Sequence, residues 1–218
     1  DRTKWLCVCG VLMAMNVVLS SSLFSVPVPG GHLYLNDIII CTASILLDPV
    51  GAGASAYRRE AIRGLLNRVQ ARIIRANAGE IQTLAGEESV SEGVDAVGTV
   101  HHTETLAKAV AERYECIAAV TGETDIITDG KRTVRILNGH PALSVLTGSG
   151  CMTSALTAAF MSASDDALAA AVAGIAFMGI CGELAAERSE LPGSFHAALL
   201  DAAAAMTPEC FLEKIRLE

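Results

Sequence analysis

Basic clusters are missing from this sequence. Its 218 residues carry 16 Lys and Arg against 24 Asp and Glu, a net charge of -8, with no run of cations anywhere. An electrostatic grip on nucleic acid or on an anionic membrane therefore has nothing to work with. The seven cysteines are odd in number and form no CxxC pair, which argues against a disulfide framework or a zinc site and points to a reducing compartment, the cytoplasm. A clear membrane span is also lacking. Trp5 to Leu19, behind Arg2 and Lys4, is too short to cross a bilayer, and no small-residue cleavage pattern follows it. Ala167 to Gly182 is uncharged but again shorter than a typical span, and reads as a helix buried among others. Aromatic residues make up 4% and charged residues 18%, so the core must be built from small aliphatic side chains.

Those are abundant. Apolar residues reach 51%, mostly Ala, Val, Ile and Leu, the palette of buried parallel strands and close-packed helices in α/β layer proteins. Residues 1–44 show no clean helical or strand period and read as a divergent segment; residues 45–218 have the regular pattern of one domain. From Ile45 the spacing predicts a strand ending at Asp48-Pro49, a glycine loop, and a helix from Ser55 to about Val69. A strand Ala71–Arg75 and a helix capped by Asn77 and closed by Gly86 follow. Residues 87–100 read as a loop, Thr103–Tyr114 as a helix and Cys116–Val120 as a strand. Asp125–Thr128 and Thr133–Leu137 read as a hairpin around Asp129-Gly130. Helices over Asp165–Arg188, Ser194–Met206 and Thr207–Ile215 complete the chain.

The stretch that organises the domain is Thr147-Gly148-Ser149-Gly150-Cys151, followed by an Ala-rich helical run. Two glycines allow a tight turn, and the N–H groups of Ser149, Gly150 and Cys151 should converge at the positive end of the helix, where an anion is held. A cysteine at the first helical position adds a thiol whose thiolate such a position favours. Taken alone, Cys151 would be a small core residue, and so would Cys116, Cys181 and Cys210 in their apolar runs. His101-His102 does not make a metal pair, because adjacent helical residues do not share a face. Gly51-x-Gly53-x-x-Ala56 imitates a dinucleotide fingerprint, but Asp48-Pro49 stands where its first glycine belongs.

Four stretches lie at strand ends or helix starts, where open α/β sheets bind ligands: Leu47-Asp48-Pro49-Val50-Gly51, Arg75-Ala76-Asn77-Ala78-Gly79-Glu80, Thr121-Gly122-Glu123 and Gly148-Ser149-Gly150-Cys151. Their order and spacing resemble the hydroxyethylthiazole kinases, enzymes of thiamin salvage with a ribokinase-like fold. The resemblance implies a three-layer α/β/α architecture with a mostly parallel central sheet. It also implies transfer of the γ-phosphoryl group of ATP to the alcohol of 5-(2-hydroxyethyl)-4-methylthiazole. By the same resemblance Gly148, Ser149 and Gly150 form the anion hole, Gly148 touches substrate, and Cys151 accepts or orients the alcohol proton. Arg75 and Thr121 contact ATP, Asp48 and Glu80 hold Mg2+ through waters, and the subunits form a homotrimer. Without the resemblance, Asp48 and Thr121 could be turn formers, Glu80 a helix-dipole partner and Arg75 a surface ion-pair residue. Residues 1–44 do not match the elements that the family places ahead of its aspartate stretch. A hydroxymethylpyrimidine or pyridoxal-type kinase, or a nucleotide-binding remnant without catalysis, stands as the alternative.

Overall fold

The computed structural model describes residues 25–28, 31–34, 46–86 and 100–218. The apolar stretch Trp5–Leu19 and all but the last residue of the loop expected over 87–100 lie outside the described residues. Within the first 44, β1 (Ser25–Val28) and β2 (Gly31–Tyr34) pair antiparallel, with Ser25 opposite Tyr34. The sequence shows no strand period there. A two-stranded ribbon is all edge, so Pro27 is tolerated within it.

The main sheet has five strands in sequence order: β3 (Leu46–Leu47), β4 (Ile73–Asn77), β5 (Ile117–Thr121), β6 (Asp125–Thr128) and β7 (Thr133–Ile136). The first three run parallel, β6 runs antiparallel to β5, and β7 runs antiparallel to β6 and hence in the direction of the first three, so that β6 alone is reversed in this mixed sheet. Alternation along each strand feeds two cores. Leu47, Ile74, Ala76, Ala118 and Val120 face α2 (Ala78–Ala85) and α3 (Val100–Tyr114), with α1 (Ala56–Leu66) packed outside them. Leu46, Ile73, Ile117, Ala119, Ile127 and Ile136 face α5 (Ser149–Ala163) and α6 (Ala167–Ala186). The three-layer α/β/α arrangement follows from that period of two. A third apolar cluster joins α6 to α7 (Pro192–Ala205), centred on Phe195 and Leu199, and α8 (Pro208–Lys214) closes the chain.

Local chemistry sets most boundaries. Ser55 accepts from the Arg58 N–H at 3.2 Å to start α1, Asp166 accepts from Leu168 and Ala169 to start α6, and Thr207 accepts from Cys210 to start α8. Helix α1 stops at Leu66, short of Val69, because its last turn closes through Asn67 and Arg68. Helix α3 begins at Val100, inside the stretch expected to be a loop. The single-turn helix α4 (Ala142–Val145) has no sequence signal beyond Pro141. Helix α6 begins and ends two residues inside the expected Asp165–Arg188, and among the described residues it is the one helix long and apolar enough to cross a membrane. Yet 67% of its apolar window is buried inside the protein, as befits a helix packed between the sheet, α5 and α7.

Ile74 is fully buried as the second residue of β4. Ile74→Ala should destabilise the fold by about 2–5 kcal/mol, read as a lowered midpoint in denaturant at unchanged slope.

Candidate active site

The two-residue period places Leu46 and Asp48, Ile73 and Arg75, and Ile117, Ala119 and Thr121 on the sheet face that meets α5. At the carboxyl ends of β3, β4 and β5 the last residues of these rows are polar, and they find one another. Arg75 Nη1 donates to Asp48 Oδ2 at 3.0 Å, and Arg75 Nη2 donates to Thr121 Oγ1 at 2.9 Å. The Arg75 and Asp48 side chains are only 12% and 10% exposed. A third partner comes from α5: Ser154, fully buried, donates its hydroxyl to the same Asp48 oxygen at 2.6 Å.

The amino end of α5 lies against this network. Gly148 is the N-cap in the left-handed conformation, with φ +93°, where a side chain is strained. The Arg75 guanidinium lies over Gly150 so closely that a Cβ there would stand 3.0 Å from Nη1. A guanidinium and a helix amino end share a positive sign, so the corner attracts anions and relies on Asp48 for neutrality. One expectation is corrected. The helix starts at Ser149, which makes Cys151 its third residue rather than its first, and the Ser149 N–H is spent on the Leu146 carbonyl at 3.2 Å. Gly148 ends the preceding turn left-handed, so the chain turns into the helix one residue after it. Cys151 is half-buried and forms no disulfide.

Glu80 sits apart from these hydrogen bonds. Its Oε1 accepts the Gly51 N–H at 2.9 Å and its Oε2 the Asn77 N–H at 3.0 Å, while Asn77 Oδ1 accepts the Glu80 N–H at 2.9 Å. This capping box ties the loop after β3 to the start of α2. A cleft of about 340 Å³ opens beside it, lined by Gly51, Gly53, Asn77, Glu80 and Thr83 among others. A larger cavity of about 670 Å³, lined by Arg63, Gln70, Arg113 and Glu115 among others, lies at the opposite, amino end of the strands. Its guanidinium groups are already bonded to the Thr83, Leu84 and Ala85 carbonyls.

Two residues were missed from sequence, Ser154 and Asp125. Ser154 stands three residues after Cys151, on the same side of α5, where an apolar residue would be ordinary; that is its only signal. Asp125 is buried at the start of β6 and accepts the Gly122 N–H at 2.9 Å, closing the turn that carries Thr121. Burial pushes its carboxyl up to about 7, against the pull of the Gly122 N–H and the Arg75 charge. Cys116 and Cys181 are buried thiols pushed up to about 12 by desolvation, in keeping with packing roles. Among the described residues, no group of three His, Cys, Asp or Glu is placed to hold a metal ion, and His101 is exposed in the first turn of α3.

A sheet between two helical layers, with its polar residues gathered at the strands' carboxyl ends beside a glycine-started helix, is the architecture of the ribokinase-like fold class. The solved hydroxyethylthiazole kinase of Pyrococcus horikoshii has the same fold. It superposes with a TM-score of 0.70 at 34% identity, over 79% of this chain and 64% of that one. The chain belongs to the hydroxyethylthiazole kinase family, whose profile matches residues 40–209. It is 45% identical over 174 residues to the hydroxyethylthiazole kinase of Desulforudis audaxviator, covering 80% of this chain and 64% of that protein. It is 41% identical over 199 residues to that of Methanosphaerula palustris, covering 91% and 74%. The second alignment is longer than the stretch from 45 to 218 and so takes in part of the first 44 residues. The chain thus spans roughly two thirds of the length of these relatives.

Asp125 supplies a pH test of the site. Folding raises its pKa from 3.8 to about 7, so between those values the unfolded chain binds fewer protons and stability falls as pH rises. Asp125→Asn keeps an acceptor for Gly122 and removes the titration. The variant should lack the wild-type loss between pH 4 and pH 7, a difference on the order of 2–4 kcal/mol in paired denaturation curves. Parallel curves across that range would refute the assignment.

Proposed function

We propose that this chain transfers the γ-phosphoryl group of ATP to the hydroxyl of 5-(2-hydroxyethyl)-4-methylthiazole. The observation that carries the reading is the Arg75 guanidinium held between Asp48 and Thr121 against Gly150. It is a preorganised cation at the mouth of a helix amino end, in a chain of the hydroxyethylthiazole kinase family. Phosphoryl transfer needs positioning and charge neutralisation above all. Arg75 and Thr121 contact the nucleotide phosphates. Gly148, Ser149 and Gly150 line the anion hole, chiefly through the Gly150 end because the Ser149 N–H is engaged. Gly148 also borders the substrate. The alcohol oxygen bonds to the γ-phosphorus as the bridging P–O bond to ADP breaks, and Cys151 takes or orients the alcohol proton.

The donors fit magnesium. Asp48 Oδ1 is a buried carboxylate oxygen with no hydrogen-bond partner, a hard ligand of the kind that ion selects. Glu80 keeps one lone pair on each oxygen beyond its two backbone bonds, which suits contact through water. Magnesium, when bound, neutralises charge on the transferring phosphates. We further assign residues 45–218 as the kinase domain, a homotrimer as the assembly and the cytoplasm as the location, where thiols such as Cys116 and Cys181 stay reduced.

The test is ADP release by the chain with ATP and magnesium, comparing the thiazole alcohol with no alcohol, hydroxymethylpyrimidine and pyridoxal. Thiazole-dependent release is expected, and Cys151→Ala should lower kcat by about 10²- to 10⁴-fold while nucleotide affinity changes little. Faster turnover of the pyrimidine or pyridoxal overturns the substrate. Nucleotide binding with no transfer to any alcohol overturns the kinase in favour of a binding protein.

A further inference from the structure

Asp48 accepts both of its side-chain hydrogen bonds on one oxygen. Arg75 Nη1, at 3.0 Å, and Ser154 Oγ, at 2.6 Å, meet at Oδ2, while Oδ1 is buried without a partner. A carboxylate facing a guanidinium ordinarily uses both oxygens in a two-pronged pair, which is the stronger arrangement. A two-pronged pair would consume Oδ1, the oxygen left for magnesium, so something must hold the carboxylate away from that pairing. Ser154 is the group in place to do so. It lies one helical turn after Gly150, fully buried on the sheet-facing side of α5, and its donor shares Oδ2 with the Arg75 guanidinium.

We propose that Ser154 is a positioning residue for nucleotide binding. By fixing the Asp48 carboxylate edge-on, it confines Asp48 to one Arg75 nitrogen, leaves the other to Thr121, and keeps the guanidinium over Gly150. Without the hydroxyl, Asp48 turns to engage Arg75 with both oxygens. The guanidinium then rotates off Thr121, and the cationic corner no longer faces an incoming phosphate. This inference rests on the reading of Arg75 as a phosphate ligand.

The experiment is calorimetric titration of the full chain with ADP and magnesium, without the alcohol, alongside steady-state kinetics. Ser154→Ala should weaken ADP binding and raise the KM for ATP by about 5- to 20-fold, more than it lowers kcat at saturating ATP and magnesium. Ser154→Cys, which is somewhat larger and offers only a weak donor, should fall in the same direction. It decides the matter if the alanine variant does not fold. In a Thr121→Val background, Ser154→Ala should add little, because its effect runs through the Arg75–Thr121 contact. Wild-type ADP affinity in both Ser154 variants overturns the proposal, as does full additivity with Thr121→Val. Arg75→Ala separates the two levels of inference. If it too leaves ADP affinity unchanged, the phosphate-ligand reading has failed; if it weakens binding while the Ser154 variants do not, only the role of Ser154 has.

Discussion

A guanidinium at the end of a buried strand must be neutralised before anything else at that corner can be arranged. In this protein the Arg75–Asp48 pair does so, with both side chains about nine-tenths buried. Removing one member of such a pair would strand the other charge in a poorly hydrated place, which is far costlier than the pair is stabilising. The pair is therefore better understood as a constraint than as a source of stability. It obliges the loop after β3 to stay close to β4, brings Thr121 in as a second acceptor, and requires that the α5 residue facing the guanidinium have no side chain, which Gly150 satisfies.

Other features at the carboxyl ends of the strands are arranged around that constraint. Glu80 spends its carboxylate on the N–H groups of Gly51 and Asn77, so the loop that delivers Asp48 is tied to the helix that follows Arg75. Asp125 closes the turn behind Thr121 through the Gly122 N–H. Three loops from three neighbouring strands are thus each held by a carboxylate accepting backbone or guanidinium donors. A preorganised arrangement of this kind suits a reaction whose demands are orientation and charge. The apolar remainder, two cores of small aliphatic side chains on either side of the sheet, supplies the rigidity that keeps those strand ends in register.

How much of this could be read beforehand differs from residue to residue. Asp48, Arg75 and Thr121 stand at the ends of short apolar runs, and a period of two is enough to put them on one face; their meeting was legible once three neighbouring parallel strands were assumed. The capping box of Asn77 and Glu80 was half legible. The spacing marks a helix start, but that the free Glu80 oxygen would reach Gly51, 29 residues earlier, is a long-range fact. The position of Cys151 within its helix was misjudged by two residues, because a left-handed Gly148 can lie inside a loop or cap a helix with the same sequence around it. Ser154 had almost no signal, since a serine in an Ala-rich helix is unremarkable until an acceptor 106 residues away is placed beside it.

The sequence by itself determined the layer architecture, through alternation in the strands and apolar runs in the helices, and it determined the cap chemistry that starts most of those helices. Both are local: they depend on neighbours within a few residues and on the solvent preference of each side chain. Tertiary structure alone decided which oxygen of Asp48 is used, which N–H groups at the α5 amino end remain available, and how far the burial of Asp125 shifts its titration. Those properties depend on distances between strands and helices brought together only by folding, where a difference of an ångström separates a hydrogen bond from an unpaired buried charge.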